Sequence, residues 1–385
     1  MPRLGDLNRK PVIKLVLLIP TLDRSGAEKQ LTLLATRLPR DEFDVHVLAL
    51  TRGGPYEQDL REHAVPVTVL GKRWKFDPLT MSRLRNELQR LAPDVLHTWL
   101  FAANAYGRLA SGRRPRWKTV VSERCVDSWK APWQLWLDRL LIARTDRLVA
   151  NSHSVADFYR QQGFPDQRST VICNAIELPG ASSIDREARL KELDIPPDAK
   201  LVGHVGRLAK QKRVDDLLWA AQVLRQADER AYFLVIGDGP DRTRLEQHAR
   251  NVESAAHVRF LGHRTDAASW LPLLDVFWLG SGFEGMSNSL MEAMAAGVPV
   301  VVTDIPPNRE LVTHGEHGYL VGVGDGVGFA QFTLRLLRDD ALAAKLGAAG
   351  RCRMADEFSV DRMVDAHVRL YRQLCANPQA EPPPK

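Results

Sequence analysis

Residues Phe283–Thr303 read FEGMSNSLMEAMAAGVPVVVT. The stretch divides by residue type into a loop, a short helix and a buried strand. Gly285 to Asn288 are turn formers, and Leu290 to Ala296 are good helix formers. Gly297 stands where a helix stops, and Val298 to Val302 is a β-branched run suited to a strand covered on both faces. Ser289 followed three residues later by Glu292 has the pattern of a capping box. Glu284 lies just before the helix, with seven residues between it and Glu292. The loop N–H groups and the helix N-terminus together favour an anion. A carboxylate at that place suits gripping sugar hydroxyls better than touching phosphate.

The same strand-and-helix alternation extends through most of the 385 residues, enough chain for two domains. With 44% hydrophobic and 26% charged residues, the composition is that of a soluble globular protein. Seven apolar runs read as strands in the first half: 12–19, 45–50, 67–70, 95–98, 119–122, 148–150 and 170–172. Six follow after residue 200: 201–205, 232–236, 258–261, 276–279, 298–302 and 319–321. Amphipathic segments between them, among them 27–38, 79–91, 102–111, 132–143 and 154–161, read as covering helices, the pattern of parallel sheets. Residues 178–200 are Pro-, Ser- and charge-rich and read as a linker. The first apolar run is far too short to span a membrane. Cys125, Cys173, Cys352 and Cys375 are scattered without metal-ligand spacing, which fits a reduced, cytoplasmic compartment.

Residues 202–218 read VGHVGRLAKQKRVDDLL, a strand, a glycine turn and a helix. Gly203 and Gly206 permit close backbone approach, while Arg207 and Lys212 place two cations at the mouth. Together with the glutamates, this segment resembles glycosyltransferase family 4, retaining enzymes that use nucleotide-sugars. The resemblance implies an α/β architecture of two Rossmann-like domains facing a cleft, the GT-B fold, with a C-terminal helix crossing back to the first domain. The divisions it suggests are residues 11–177 on the acceptor side, the linker 178–200, residues 201–357 on the donor side, the crossing helix 358–375 and a disordered tail 376–385. It also implies roles. Arg207 and Lys212 bind the diphosphate, Glu292 the ribose and Glu284 the transferred sugar, with Gly285, Met286, Ser287, Asn288, Ser289 and Leu290 forming the surrounding loop and helix start. Arg207, Lys212 and Glu284 are the candidate catalytic residues.

Three further segments extend the match. Gly26 in PTLDRSGAEKQL begins a helix expected to face the diphosphate, although two adjacent glycines are usual there. By the same resemblance, Gly237, Gly239 and Pro240 in IGDGPDRTRLE are expected to shape the nucleotide pocket, and the backbone from Gly262 through His263 to Arg264 is expected to lie against the base. Two segments depart from the pattern. Arg124 stands where many members carry a histidine facing the donor sugar, and Asn174 matches the Asn of a common Pro-Asn-Gly sequence whose other two positions are here Cys173 and Ala175. With Arg124, His97 and Asn174 are the candidates on the acceptor side. No Asp-x-Asp motif is present, so neither a metal nor a cofactor is expected, the nucleotide-sugar being a substrate.

The expected reaction is transfer from a UDP-sugar to a saccharide or lipid-linked acceptor in cell-surface polysaccharide or glycolipid synthesis, with no nucleic-acid partner. A nucleotide-sugar epimerase of the same fold is the alternative. A non-catalytic nucleotide-sugar or polyanion binding protein is a third reading, motivated by Arg124.

Charge is unevenly spread. Residues 1–180 hold 28 Lys and Arg against 19 Asp and Glu, a balance of +9, and the remainder 25 against 28, a balance of −3. Aromatic residues stand among the basic ones: Trp74 beside Lys72, Arg73 and Lys75, Trp117 between Arg116 and Lys118, and Trp129, Trp133 and Trp136 near Lys130 and Arg139. The last three share one helical face. That face reads either as core or as weak, reversible contact with the anionic inner surface of a membrane.

Overall fold

The computed structural model describes residues 11–112, 115–180 and 185–376. They fall into two compact units, one comprising residues up to Ala175 together with those from Val360 onward, the other Ile176–Ser359. The expected tail beyond Ala376 lies outside the described residues.

The first unit holds a seven-stranded parallel sheet: β1 (Ile13–Ile19), β2 (Phe43–Ala49), β3 (Val67–Val69), β4 (Val95–Trp99), β5 (Lys118–Glu123), β6 (Arg147–Ala150) and β7 (Ser169–Val171). Their spatial order is β3-β2-β1-β4-β5-β6-β7. Alternate residues of β1 serve two cores. Leu15, Leu17 and Ile19 join one, and Val16 and Leu18 join the other. The final helix, Val360–Ala376, belongs to this unit. Met363, Val364, Val368, Leu370, Tyr371 and Leu374 recur at helical spacing and complete the first of those cores. On its outer side Arg372 grips the Glu42 carboxylate, with Nε 2.9 Å from Oε2. The crossing helix implied by the family resemblance is therefore present.

The second unit holds six parallel strands: β8 (Lys200–Val205), β9 (Ala231–Ile236), β10 (Val258–Gly262), β11 (Val276–Leu279), β12 (Val300–Thr303) and β13 (Tyr319–Val321). Their order is β10-β9-β8-β11-β12-β13. Each of the thirteen strands lies within two residues of its sequence expectation. The charged stretch read as linker instead contains a helix, Arg186–Glu192, capped by Asp185, whose Oδ1 accepts from the Ala188 N–H at 3.0 Å. Seven residues are too few for a visible apolar stripe, which hid it. The helix Pro55–Glu62 escaped for the same reason, with Leu60 alone buried.

Tyr371 anchors the final helix: it is fully buried, and its hydroxyl lies 2.6 Å from His97 Nδ1. Tyr371→Ala is expected to cost the first unit about 3–5 kcal/mol, read as an earlier denaturation midpoint for that unit. An unchanged midpoint would mean that the helix is not integral to that core.

Candidate active site

In the second unit the chain builds outward from β8 through β9 to β10, then returns to add β11, β12 and β13 on the other side. The strand order thus reverses between β8 and β11, and ligands of open α/β sheets bind outside the carboxyl ends of the strands at such a point. Two of the expected residues meet there. Lys212 follows β8 in the short 3-10 turn Lys210–Lys212, and Glu284 follows β11. Lys212 Nζ lies 2.5 Å from Glu284 Oε1, and Ser281 Oγ donates to the same oxygen at 2.6 Å. Gln211 Nε2 donates to the Phe283 carbonyl at 2.7 Å and holds the loop from the other side. Glu284 is 6% exposed, so its carboxylate is fixed by these contacts rather than solvated.

Beneath the pair lies His204. Its Nδ1 is 3.1 Å from the Trp278 carbonyl oxygen. A carbonyl only accepts, so Nδ1 carries the proton and Nε2 is left as an acceptor. Nε2 has no partner, and a Cβ placed on Gly206 would stand 3.1 Å from it. Burial, and then the charge of Lys212, push the His204 pKa down to about 4. The imidazole is therefore neutral near pH 7.

The turns after β8 and β9 approach more closely than side chains would allow. Gly237, at φ +141°, would carry a Cβ only 1.9 Å from the Gly206 carbonyl oxygen, and one on Gly239 would be 2.3 Å from that of Leu208. Gly262 ends β10 at φ +69°, and its carbonyl accepts from the Gly237 N–H at 2.8 Å. Arg207 is exposed beside this edge, and among the described residues no ion pair engages it. His263 is exposed as well. The Arg264 guanidinium is committed locally, to Asp266 at 2.8 and 2.9 Å and to the Trp270 ring at 4.8 Å.

The helix after Glu284 spans Asn288–Ala295 and starts earlier than expected. Its cap is Ser287, whose Oγ accepts from the Leu290 N–H at 3.5 Å. Ser289 and Glu292 therefore do not form a capping box, because both already lie inside the helix. Gly285, Met286 and Ser287 are buried, while Asn288, Ser289 and Glu292 are half-buried.

Gly26, His97, Arg124 and Asn174 belong to the first unit. Gly26 opens the helix Gly26–Arg37, where Ser25 and Thr21 both donate to the buried Glu28 carboxylate. His97 is enclosed, with Nδ1 on Tyr371 Oη at 2.6 Å and Nε2 on Ser122 Oγ at 2.8 Å, so neither nitrogen remains for a ligand. Arg124 and Asn174 come together through Arg124 Nη2 and Asn174 Oδ1. The guanidinium also lies over Trp99, 4.5 Å from the ring centroid, and burial lowers its pKa to about 9. Its Nε and Nη1 have no hydrogen-bond partner. The sequence reading missed Gln211, Ser281 and His204. For His204 and Ser281 the signal was present, since each is a polar residue beside a glycine at an apolar strand, whereas Gln211 stands in the charged run AKQKR and had none.

The model for glycosyltransferase family 4 matches residues 24–178, and that for glycosyl transferases group 1 matches 185–353. The lipopolysaccharide core biosynthesis glycosyltransferase LpsD of Rhizobium meliloti is 32% identical over 348 residues, 90% of this chain and 94% of that protein. The chain belongs to glycosyltransferase family 4. Another relative of this family 4 chain, the N-acetyl-alpha-D-glucosaminyl L-malate synthase of Bacillus anthracis, is 30% identical over 236 residues, 61% of each protein. Anabaena Alr3699/HepE, solved in complex with UDP-glucose, superimposes with a TM-score of 0.83 at 23% identity, covering 94% of this chain and all of that one. At that identity the likeness establishes the shared GT-B fold.

His204 gives this family 4 chain a directional pH response. The unfolded histidine titrates near pH 6.5 and the folded one near 4. Between those values only the unfolded state binds the proton, so stability falls as pH falls through that window and is unaffected above it. The loss reaches about 3 kcal/mol. Melting temperatures taken from pH 7.5 to 4.5 should fall less steeply for His204→Gln than for the unaltered chain. Parallel curves would assign the acid sensitivity elsewhere.

Proposed function

We propose that this protein transfers a hexosyl group from a UDP-sugar to an acceptor hydroxyl, with retention at the anomeric carbon and without a metal. The observation that carries the proposal is the Lys212–Glu284 contact, 2.5 Å long, at the strand reversal of the second unit, with Arg207 exposed beside it. The acceptor oxygen attacks the anomeric carbon on the face from which the diphosphate departs. The bond between that carbon and the β-phosphate oxygen breaks, and the acceptor proton passes to the leaving phosphate. Arg207 and Lys212 neutralise the charge growing on the diphosphate. Glu284 accepts hydrogen bonds from the transferred sugar, and Glu292 from the ribose. The turns at Gly206, Gly239 and Gly262 let backbone come close to the nucleotide.

The names of the relatives support this reading. One works in lipopolysaccharide core biosynthesis, one is a glucosaminyl malate synthase, and HepE binds UDP-glucose. They favour transfer over epimerisation. We assign the acceptor to a saccharide or lipid-linked saccharide of the cell surface, assembled on the cytoplasmic side.

Arg207→Ala and Lys212→Ala are each expected to lower turnover about a hundredfold, measured as UDP release with a saccharide acceptor; thermal melting is preserved in Arg207→Ala, whereas Lys212→Ala also lowers it by leaving the Glu284 carboxylate buried without its cation. Near-full activity in either variant would remove that residue from leaving-group stabilisation. Loss of activity with EDTA would require a metal.

Glu292→Gln separates binding from folding. Because Glu292 is not part of the helix cap, its charge can be removed with the cap intact. Calorimetry should show weaker UDP binding at nearly unchanged melting temperature. Unchanged binding would return Glu292 to a structural role.

A further inference from the structure

The helix Pro132–Leu140 in the first unit is inside out. Its outward face carries Trp133, Trp136 and Leu140, which are 60%, 62% and 59% exposed, and Trp129 just before it is 56% exposed. Steps of three and four residues place Trp133, Trp136 and Leu140 in one apolar stripe. The inward face carries a carboxylate. Asp138, 6% exposed, accepts from Arg108 Nη2 at 2.5 Å and from Lys130 Nζ at 3.0 Å. Lys130 is itself sealed in, 2.8 Å from Asp127 and 3.6 Å from Glu123. It belongs to this internal network and not to the basic surface expected from its sequence neighbours. Rolling the helix to bury its tryptophans would break buried ion pairs, a strongly destabilising change. The network therefore fixes the apolar stripe outward.

A second exposed apolar group lies in the same layer. Trp74, Phe76 and Leu79 are 61%, 69% and 63% exposed, with Arg73 and Lys75 exposed on either side of Trp74. The segment is held rigidly: Asp77 caps the next helix by accepting from Thr80 N at 3.1 Å, and its own N–H donates to Tyr106 Oη at 2.7 Å. Tyr106 and Phe101 lie on one helix, Leu100–Ala110, and Phe101 meets Trp133 edge-on with centroids 5.9 Å apart. Both apolar groups thus flank a single helix. Trp117 stands apart, half-buried and donating to Ser111 Oγ at 3.0 Å.

We propose that these two groups form a docking surface for an anionic lipid bilayer. The charge fits. Arg73 and Lys75 are exposed beside Trp74, and Arg139 is exposed on the tryptophan helix itself. Tryptophan rings settle at the lipid–water boundary, and arginine and lysine beside them meet lipid phosphates. A second copy of the chain fits less well, because a two-fold contact would set basic rim against basic rim. No described helix is long and apolar enough to cross a membrane, so the contact made by this surface is peripheral.

The test is flotation of the full chain with phosphatidylcholine vesicles, alone and with phosphatidylglycerol added. Binding is expected only with the anionic lipid and is expected to weaken as salt rises. The double change Trp133→Ser and Trp136→Ser should weaken it roughly tenfold or more while melting is preserved, since both rings are exposed. Arg73→Gln with Lys75→Gln should reduce the salt dependence. Brominated lipid should quench tryptophan emission in the unaltered chain more than in the double tryptophan variant. Failure to bind either vesicle at low salt would overturn the proposal. So would unchanged binding by the tryptophan variant, or a dimer that the same variant dissolves with no vesicle binding.

Discussion

A parallel sheet presents apolar side chains on both faces and tolerates water on neither. That constraint organises both units. In the first, Leu15, Leu17 and Ile19 point one way from β1 and Val16 and Leu18 the other, so two separate helical layers are needed. One of those layers draws on the last stretch of the chain, where Met363, Val364, Val368 and Tyr371 fill the space over β1 and β2. The carboxyl ends of the strands are then the natural place for polar turns, and the candidate site occupies them.

The strands were legible because a strand buried on both faces is a continuous run of Val, Leu and Ile, as in Leu15–Ile19 and Val300–Val302. The cations Arg207 and Lys212 and the carboxylate Glu284 were legible as a motif, and two of the three meet in the structure. Local geometry was harder to read. Ser287, not Ser289, caps the site helix, and the two serines are indistinguishable as residue types. His97 carried the chemistry of a catalytic residue but is satisfied from both sides by Tyr371 and Ser122, one of them 274 positions away in the chain. Periodicity cannot foresee such a partner. The tryptophan stripe shows the same limit from the other direction. Its spacing established a face, but whether that face looked in or out depended on Arg108 and Lys130 holding Asp138.

Electrostatics divide the two units along different lines. In the second, a lone lysine and a lone glutamate meet at the strand reversal over a neutral histidine, an arrangement that leaves Arg207 available to an incoming anion. In the first, Arg124 is half-buried against Trp99 and Asn174 without a carboxylate partner among the described residues, and two of its nitrogens remain unpartnered. Its lowered pKa reflects that desolvation.

The return of the final helix has a consequence for biosynthesis. Residues Ile176–Ser359 are one unbroken run, and their core closes without help from elsewhere in the sequence. The earlier-translated unit lacks a wall of its core until Val360–Ala376 has been made. During vectorial synthesis the unit that begins first therefore finishes last, holding an open apolar trough over β1 and β2 while nearly two hundred further residues are added. A premature stop near the carboxyl end would leave the downstream unit whole and cripple the upstream one.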